Sequence, residues 1–222
     1  MDLSEKPNFL GREAAAFTRT ELLVVVVAVL LVIALAIPWL AKNGATARLN
    51  GCRDNLKQVG LAHNLWGFTE EFPMHASTNK GGTKEIIGTG LTFRHYLAMT
   101  NELVGPKVLC CPSDWKRSTA KNWGTLGNAN VSYFVGVDAD ELRPNALLAG
   151  DRHLAFKFPA RGHLQILSTT NLPWWTEELH RKVGNIALAN GGVQIYDDAL
   201  LRQQVGFDLI GAGPSTSRLE FP

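Results

Sequence analysis

The chain is poor in the features that mark several large protein classes. Three cysteines in 222 residues exclude a disulfide-dense scaffold, and no Cys-x-x-Cys pair marks a zinc elbow. Twenty-two basic against 20 acidic side chains, a net charge of +2, leave neither an acidic tail nor a strongly basic nucleic-acid module. No Gly-x-Ser-x-Gly elbow, no His-Glu-x-x-His pair and no internal repeat occurs. Asp151, Arg152, His153, Ser113 and Asp114 are residue types of a hydrolase site, but without such a motif the chain reads as non-enzymatic.

What the chain has is a concentration of apolar residues near its start. Residues 22–37 are drawn only from Leu, Val, Ile and Ala; Pro38 interrupts, and Trp39, Leu40 and Ala41 continue. Twenty residues at about 1.5 Å each give roughly 30 Å of helix, the thickness of a bilayer's hydrocarbon core. The expectation is therefore a membrane span, with a secretory signal peptide and a plain single-span anchor as ordinary alternatives. Glu21 stands flush against the run, and a carboxylate there signals either function or an interfacial position beside Arg19. Pro38 removes one helical hydrogen bond and favours a kink. Basic residues on both sides of the run leave the orientation undecided by charge.

The run Phe17-Thr18-x-x-Glu21-Leu22-Leu23-Val24-Val25 and the apolar helix after it resemble the type IV pilin and type II secretion pseudopilin signature. The resemblance implies a leader over 1–16, cut between Ala16 and Phe17 by prepilin peptidase, with methylation of the new Phe17 amine. Ala16 stands where the family usually has Gly. It also implies that Glu21 of one subunit neutralises the Phe17 amine of another during assembly, and that Pro38 is a helix-distorting proline. Partners would be other pseudopilin subunits, an inner-membrane assembly platform and inner-membrane lipid, with no nucleic acid. The N-terminus would be cytoplasmic, and the C-terminal domain periplasmic or in a fibre. The segment from Gly51 to Ala62, Cys111-Pro112-Ser113-Asp114, and His180 with Asn190-Gly191 resemble the pseudopilin-like group that closes on a His-x9-Asp-Gly motif, with Asn190 in place of Asp.

Past the span, Ala45, Leu49, Cys52, Leu56, Val59, His63 and Trp66 recur at spacings of three and four, one apolar seam of an amphipathic helix reaching about Gly67. His63 on it reads as a core-edge histidine. Residues 77–90 read as a loop and 91–103 as a short helix. Strands are expected over 107–111, 131–137, 146–149 and 163–167, and a helix capped by Asp197 or Asp198 over 199–205. Asn190-Gly191 between two apolar runs reads as a two-residue hairpin turn with both residues at positive φ. Trp174-Trp175 places one ring in the core and the other outside, because neighbours on an extended segment face opposite sides.

The expected fold class is α+β: a long N-terminal helix, transmembrane in its first half and amphipathic in its second, packed on a small antiparallel β-sheet domain. The divisions are 1–16 leader, 17–41 transmembrane or filament-core helix, 42–68 amphipathic continuation, 69–210 periplasmic domain and 211–222 flexible tail. A disulfide from Cys52 to Cys111 or Cys110 is one reading of the cysteines, and buried thiols are the other. No metal site is expected. Asp138-Ala139-Asp140-Glu141 reads as a solvated acidic turn, with Ca2+ the only cofactor in view. The expected function is a structural subunit of a secretion-type or pilus-like fibre. Rivals are a minor pilin binding DNA or a surface, a membrane-anchored periplasmic binding domain that never assembles, and an anchored hydrolase.

Overall fold

The computed structural model describes residues 18–68, 71–160, 162–210 and 216–222, without the side chains of 36–43. The chain divides into two compact units, Met1–Asn43 and Gly44–Pro222. Helix α1 (Arg19–Gly67) contributes a stretch to each.

In the first unit, the described apolar run over 22–35 is exposed, Leu35 to 76% and Val32 to 66%. The expected membrane-spanning half of a long helix is corrected here: among the described residues no helix is long and apolar enough to cross a membrane. The apolar side chains described there cover 22–35, and Arg19 and Glu21 head the run. Among the described residues the fold class is α+β, with no helix long and apolar enough to span a membrane. The inner-membrane single-pass location and the membrane, pseudopilin and secretion descriptors lose this support with it.

The second unit is built on a six-stranded antiparallel sheet. Its strands are β1 (Tyr133–Gly136), β2 (Leu147–Asp151), β4 (Leu164–Leu167), β6 (Val183–Leu188), β7 (Val193–Asp197) and β8 (Ser217–Glu220), in the order β4-β8-β1-β2-β6-β7. A second ribbon pairs β3 (Leu154–Phe156) with β5 (Pro173–Trp175). Short helices α2 (Phe93–Leu97) and α3 (Asp198–Ile210) complete it.

Both faces of the sheet are covered, which is why its strands read as apolar runs without clean alternation. The period of two survives in where the side chains go. Tyr133, Val135, Ala187 and Ala189 join the core holding Cys52, Leu56, Val59 and Ala62 of the 44–67 stretch. Phe134, Ile186 and Leu188 join the opposite core with Trp175, Leu201 and Val205. A register shift between Leu147 and Ala149 breaks the alternation on β2 and lets Leu148 and Ala149 share a face. Trp175 is buried at 2% exposure while Trp174 is 37% exposed.

Several elements differ from expectation. Residues 107–111 contain a 3-10 turn (Pro106–Leu109) instead of a strand, since Pro106 at its start favours the turn. Of the tail 211–222, the described part carries β8, central between β4 and β1. Glu220 is held there: its carboxylate accepts from the Gly88 and Gly90 N–H groups at 2.8 and 3.2 Å. Composition hid this strand, because four residues of mixed polarity show no period.

The hairpin turn is also corrected. Ala187 pairs with Val193, and the Gly191 N–H donates to the Leu188 carbonyl at 2.9 Å. Three residues therefore turn the chain, and only Gly191 (φ 82°) is left-handed, not Asn190. A Cβ on Gly191 would stand 2.7 Å from Asn64 Nδ2. Gly191→Ala is expected to lower stability by roughly 1–2 kcal/mol, from the left-handed φ and the contact; a urea titration with an unchanged midpoint would refute this account of the turn.

Candidate functional site

Two places in the chain gather side chains beyond what packing needs, one in each unit. In the first, Thr18 stands just before α1. The Thr18 N–H and hydroxyl both donate to Glu21 Oε2 at 2.8 Å, and the Glu21 N–H donates to Thr18 Oγ1 at 3.3 Å. This is a capping box: each partner satisfies a backbone donor the helix start leaves over. These bonds hold the Glu21 carboxyl below the usual range. The pattern Thr-x-x-Glu before an apolar run is visible in the sequence, and it gives Glu21 a role within its own chain. Ala16 and Phe17 lie outside the described residues, as does the side chain of Pro38.

In the second unit, Cys52 of α1 is joined to Cys111 by a disulfide, with Cα atoms 5.0 Å apart, and Cys110 is a free, buried thiol. Burial pushes the Cys110 thiol up. His180 Nε2 lies 3.4 Å from Cys111 Sγ and 3.6 Å from Asp151 Oδ2. Asp151 ends β2 at 0% exposure, and its Oδ2 accepts from the Asn185 N–H at 2.7 Å and from Asn185 Nδ2 at 3.0 Å. Its other oxygen has no partner. Burial raises the Asp151 carboxyl to about 7, against the pull of the two Asn185 bonds. Burial also lowers His180 to about 4, so a neutral imidazole faces the disulfide at neutral pH.

The loop carrying His180 is strained. Arg181 (φ 54°) and Lys182 (φ 63°) follow it in the left-handed region, which bulky residues enter at a cost of roughly 1–2 kcal/mol each. That conformation turns the chain sharply between His180 and β6. Beside the cluster opens a cavity of about 570 Å³ lined by Arg48, Leu49, Ser113, Asp114, Trp115 and His180, among others. On its wall Asp114 accepts two bonds from Arg152 at 2.8 Å, and Arg152 also donates to Glu178 at 2.5 Å, which pairs with Lys116 at 3.2 Å.

This arrangement separates the hydrolase residue types. Asp114 and Arg152 are committed to each other, and His153 Nε2 lies 3.1 Å from the Val183 carbonyl with its ring against Trp175. Asp138 is likewise engaged by Arg218, and Asp140 Oδ1 accepts from the Leu142 N–H, which closes the acidic turn on itself and leaves it no argument for Ca2+. His63 is fully buried, with Nδ1 2.9 Å from the Val59 carbonyl. His180 belongs to the disulfide cluster, whereas Asn190 belongs to the hairpin turn, where its Oδ1 accepts from the Gly192 N–H. Sequence reasoning placed Asp151 among hydrolase residue types and missed Asn185: the two lie 34 residues apart on neighbouring strands, and only sheet pairing joins them.

No family model, curated protein or solved structure matches this chain.

Proposed function

We propose that this chain is a structural, non-catalytic subunit of a fibre of the pilin and pseudopilin kind, and that copies assemble through the apolar stretch over 22–35. The observation that carries the reading is the uncovered apolar surface of that stretch, with Leu22, Leu23, Val24 and Leu30 all more than half exposed. Each Leu or Val that a neighbour buries contributes about 1.5–3 kcal/mol, so a few contacts per helix offset the entropy of association. A sibling helix is the fitting occupant, because it offers the same apolar stripe. The capping box supports the reading from another side: it keeps the start of the helix wound, so the stripe is presented as a regular surface. In this reading prepilin peptidase cleaves before Phe17, and Glu21 of one copy meets the new amine of another, setting axial register more than net stability.

Two substitutions separate the charge of Glu21 from its cap. Glu21→Ala removes both, at about 1 kcal/mol of helix stability, whereas Glu21→Gln keeps an acceptor for Thr18. Both variants are expected to lose ordered assembly in negative-stain microscopy and cross-linking. Normal fibres from Glu21→Gln would overturn the register role, and wild-type protein from its host that keeps residues 1–16 by intact mass and stays monomeric would overturn the proposal.

A further inference from the structure

We infer that the Cys52–Cys111 pair, once reduced, forms a four-coordinate Zn2+ site with Asp151 and His180. The argument is geometric. One ligand atom from each of the four residues lies within 4.8 Å of all the others. The donors come from four separate places in the fold: α1, the turn after Leu109, the end of β2, and the strained loop before β6. Two edges of the required polyhedron already exist, 3.4 Å from Cys111 Sγ to His180 Nε2 and 3.6 Å from His180 Nε2 to Asp151 Oδ2. With Zn–S near 2.3 Å and Zn–N near 2.0 Å, the edges of a zinc tetrahedron are about 3.3–3.8 Å. Opening the disulfide lets its two sulfurs separate to a third edge, and the other three are bounded by the 4.8 Å within which all four donor atoms lie.

The surroundings suit a metal as well as the donors do. The four residues are 0, 1, 0 and 9% exposed, and Asp151 carries a buried oxygen with no hydrogen-bond partner. Asn185 donates twice to Asp151 Oδ2, the oxygen 3.6 Å from His180, and so fixes the carboxylate at the site, while Oδ1 is the oxygen without a partner. His180 lines the neighbouring cavity, which supplies a way in from solvent. Two thiolates, an imidazole and a carboxylate are a borderline-soft set, suited to Zn2+ and poor for Ca2+ or Mg2+.

The chemistry balances with a dithiol reductant. The protein disulfide takes two electrons and two protons from it, giving two thiols as the reductant closes to its own disulfide. On metal binding the two thiols release their protons to solvent, and both sulfurs bond to Zn2+. Exchange with the reductant's own disulfide reverses the sequence: the two thiolates pass it two electrons, it takes two protons from solvent, and the ion leaves, so the site would hold metal only in the reduced chain.

The full chain, reduced anaerobically with a phosphine that does not bind zinc, is dialysed against Zn2+ and separately against Co2+. The expected result is one metal per reduced chain and none per oxidised chain, with thiolate-to-cobalt charge-transfer bands in the Co2+ form. Asp151→Asn and His180→Ala are expected to weaken Zn2+ binding at least tenfold, while Cys110→Ser leaves it unchanged. Circular dichroism follows the fold throughout. A reduced chain that loosens and regains structure with Zn2+ supports the site. No stoichiometric metal in the reduced chain, cobalt without thiolate bands, wild-type affinity in the Asp151 and His180 variants, or dependence on Cys110 would overturn it.

Discussion

Replacing both Cys52 and Cys111 by Ala is expected to lower the stability of the second unit by about 4 kcal/mol. The two residues are 59 apart in sequence, and closing a loop of that length removes about 4 kcal/mol of chain entropy from the unfolded ensemble. At a typical 2–4 °C per kcal/mol for a unit of this size, the melting temperature should fall by roughly 10 °C. The crosslink ties the 44–67 stretch of α1 to the segment just after the Pro106–Leu109 turn, so losing it loosens the helix on the face it covers. Thermal melts in the presence of a chelator, with and without reductant, give the same comparison on the wild-type chain. Cys110→Ser, which touches only the free thiol, should shift the midpoint little. A double variant melting within about 2 °C of wild type would show that packing alone holds the helix in place.

Acid is expected to destabilise the same unit. Burial lowers His63 to about 4 and His153 to about 4, both from an ordinary 6.5. The unfolded chain therefore binds more protons between those values, and stability that is complete above pH 6.5 is lost as pH falls through about 4. A shift of this size on a buried imidazole corresponds to on the order of 3 kcal/mol. Glu220 acts in the same direction: burial raises its carboxyl, but the nearby His95 ring and the bonds from the Gly88 and Gly90 N–H groups outweigh that and hold it low. Asp151 acts the opposite way, because its raised value makes ionisation unfavourable to the fold as pH rises from 3.8 to about 7. The net expectation is a fall of several kcal/mol between pH 6.5 and 4. His63→Gln should flatten that window, and Asp151→Asn should steepen it. Urea midpoints measured from pH 4 to 8 check both signs. A His63→Gln profile parallel to wild type would mean that the buried imidazole does not carry the acid sensitivity.

Parts of the architecture were legible from residues alone, and the reason is local. The seam from Cys52 to His63 follows helical spacing, so its burial is written in the order of side chains. β1, β2, β4 and β6 fall on apolar runs, and Trp174-Trp175 alternates as neighbours on a strand must. The capping box is legible too, as Thr18-x-x-Glu21 before an apolar run, because it acts within one helical turn. The place of the Asn-Gly turn is legible, but its length is not: it follows from how β6 and β7 register, and that is a property of the pair.

The sequence by itself settled which segments are apolar and where the helix of the second unit puts its buried face. Only the tertiary structure decided which cysteine Cys52 meets, that the final strand lies within the sheet, and that Asp151, His180 and Asn185 converge beside the disulfide. The difference is one of range. Periodicity and capping act over a few residues, whereas strand pairing and crosslinks close loops of tens of residues, whose partners are chosen by packing across the whole core.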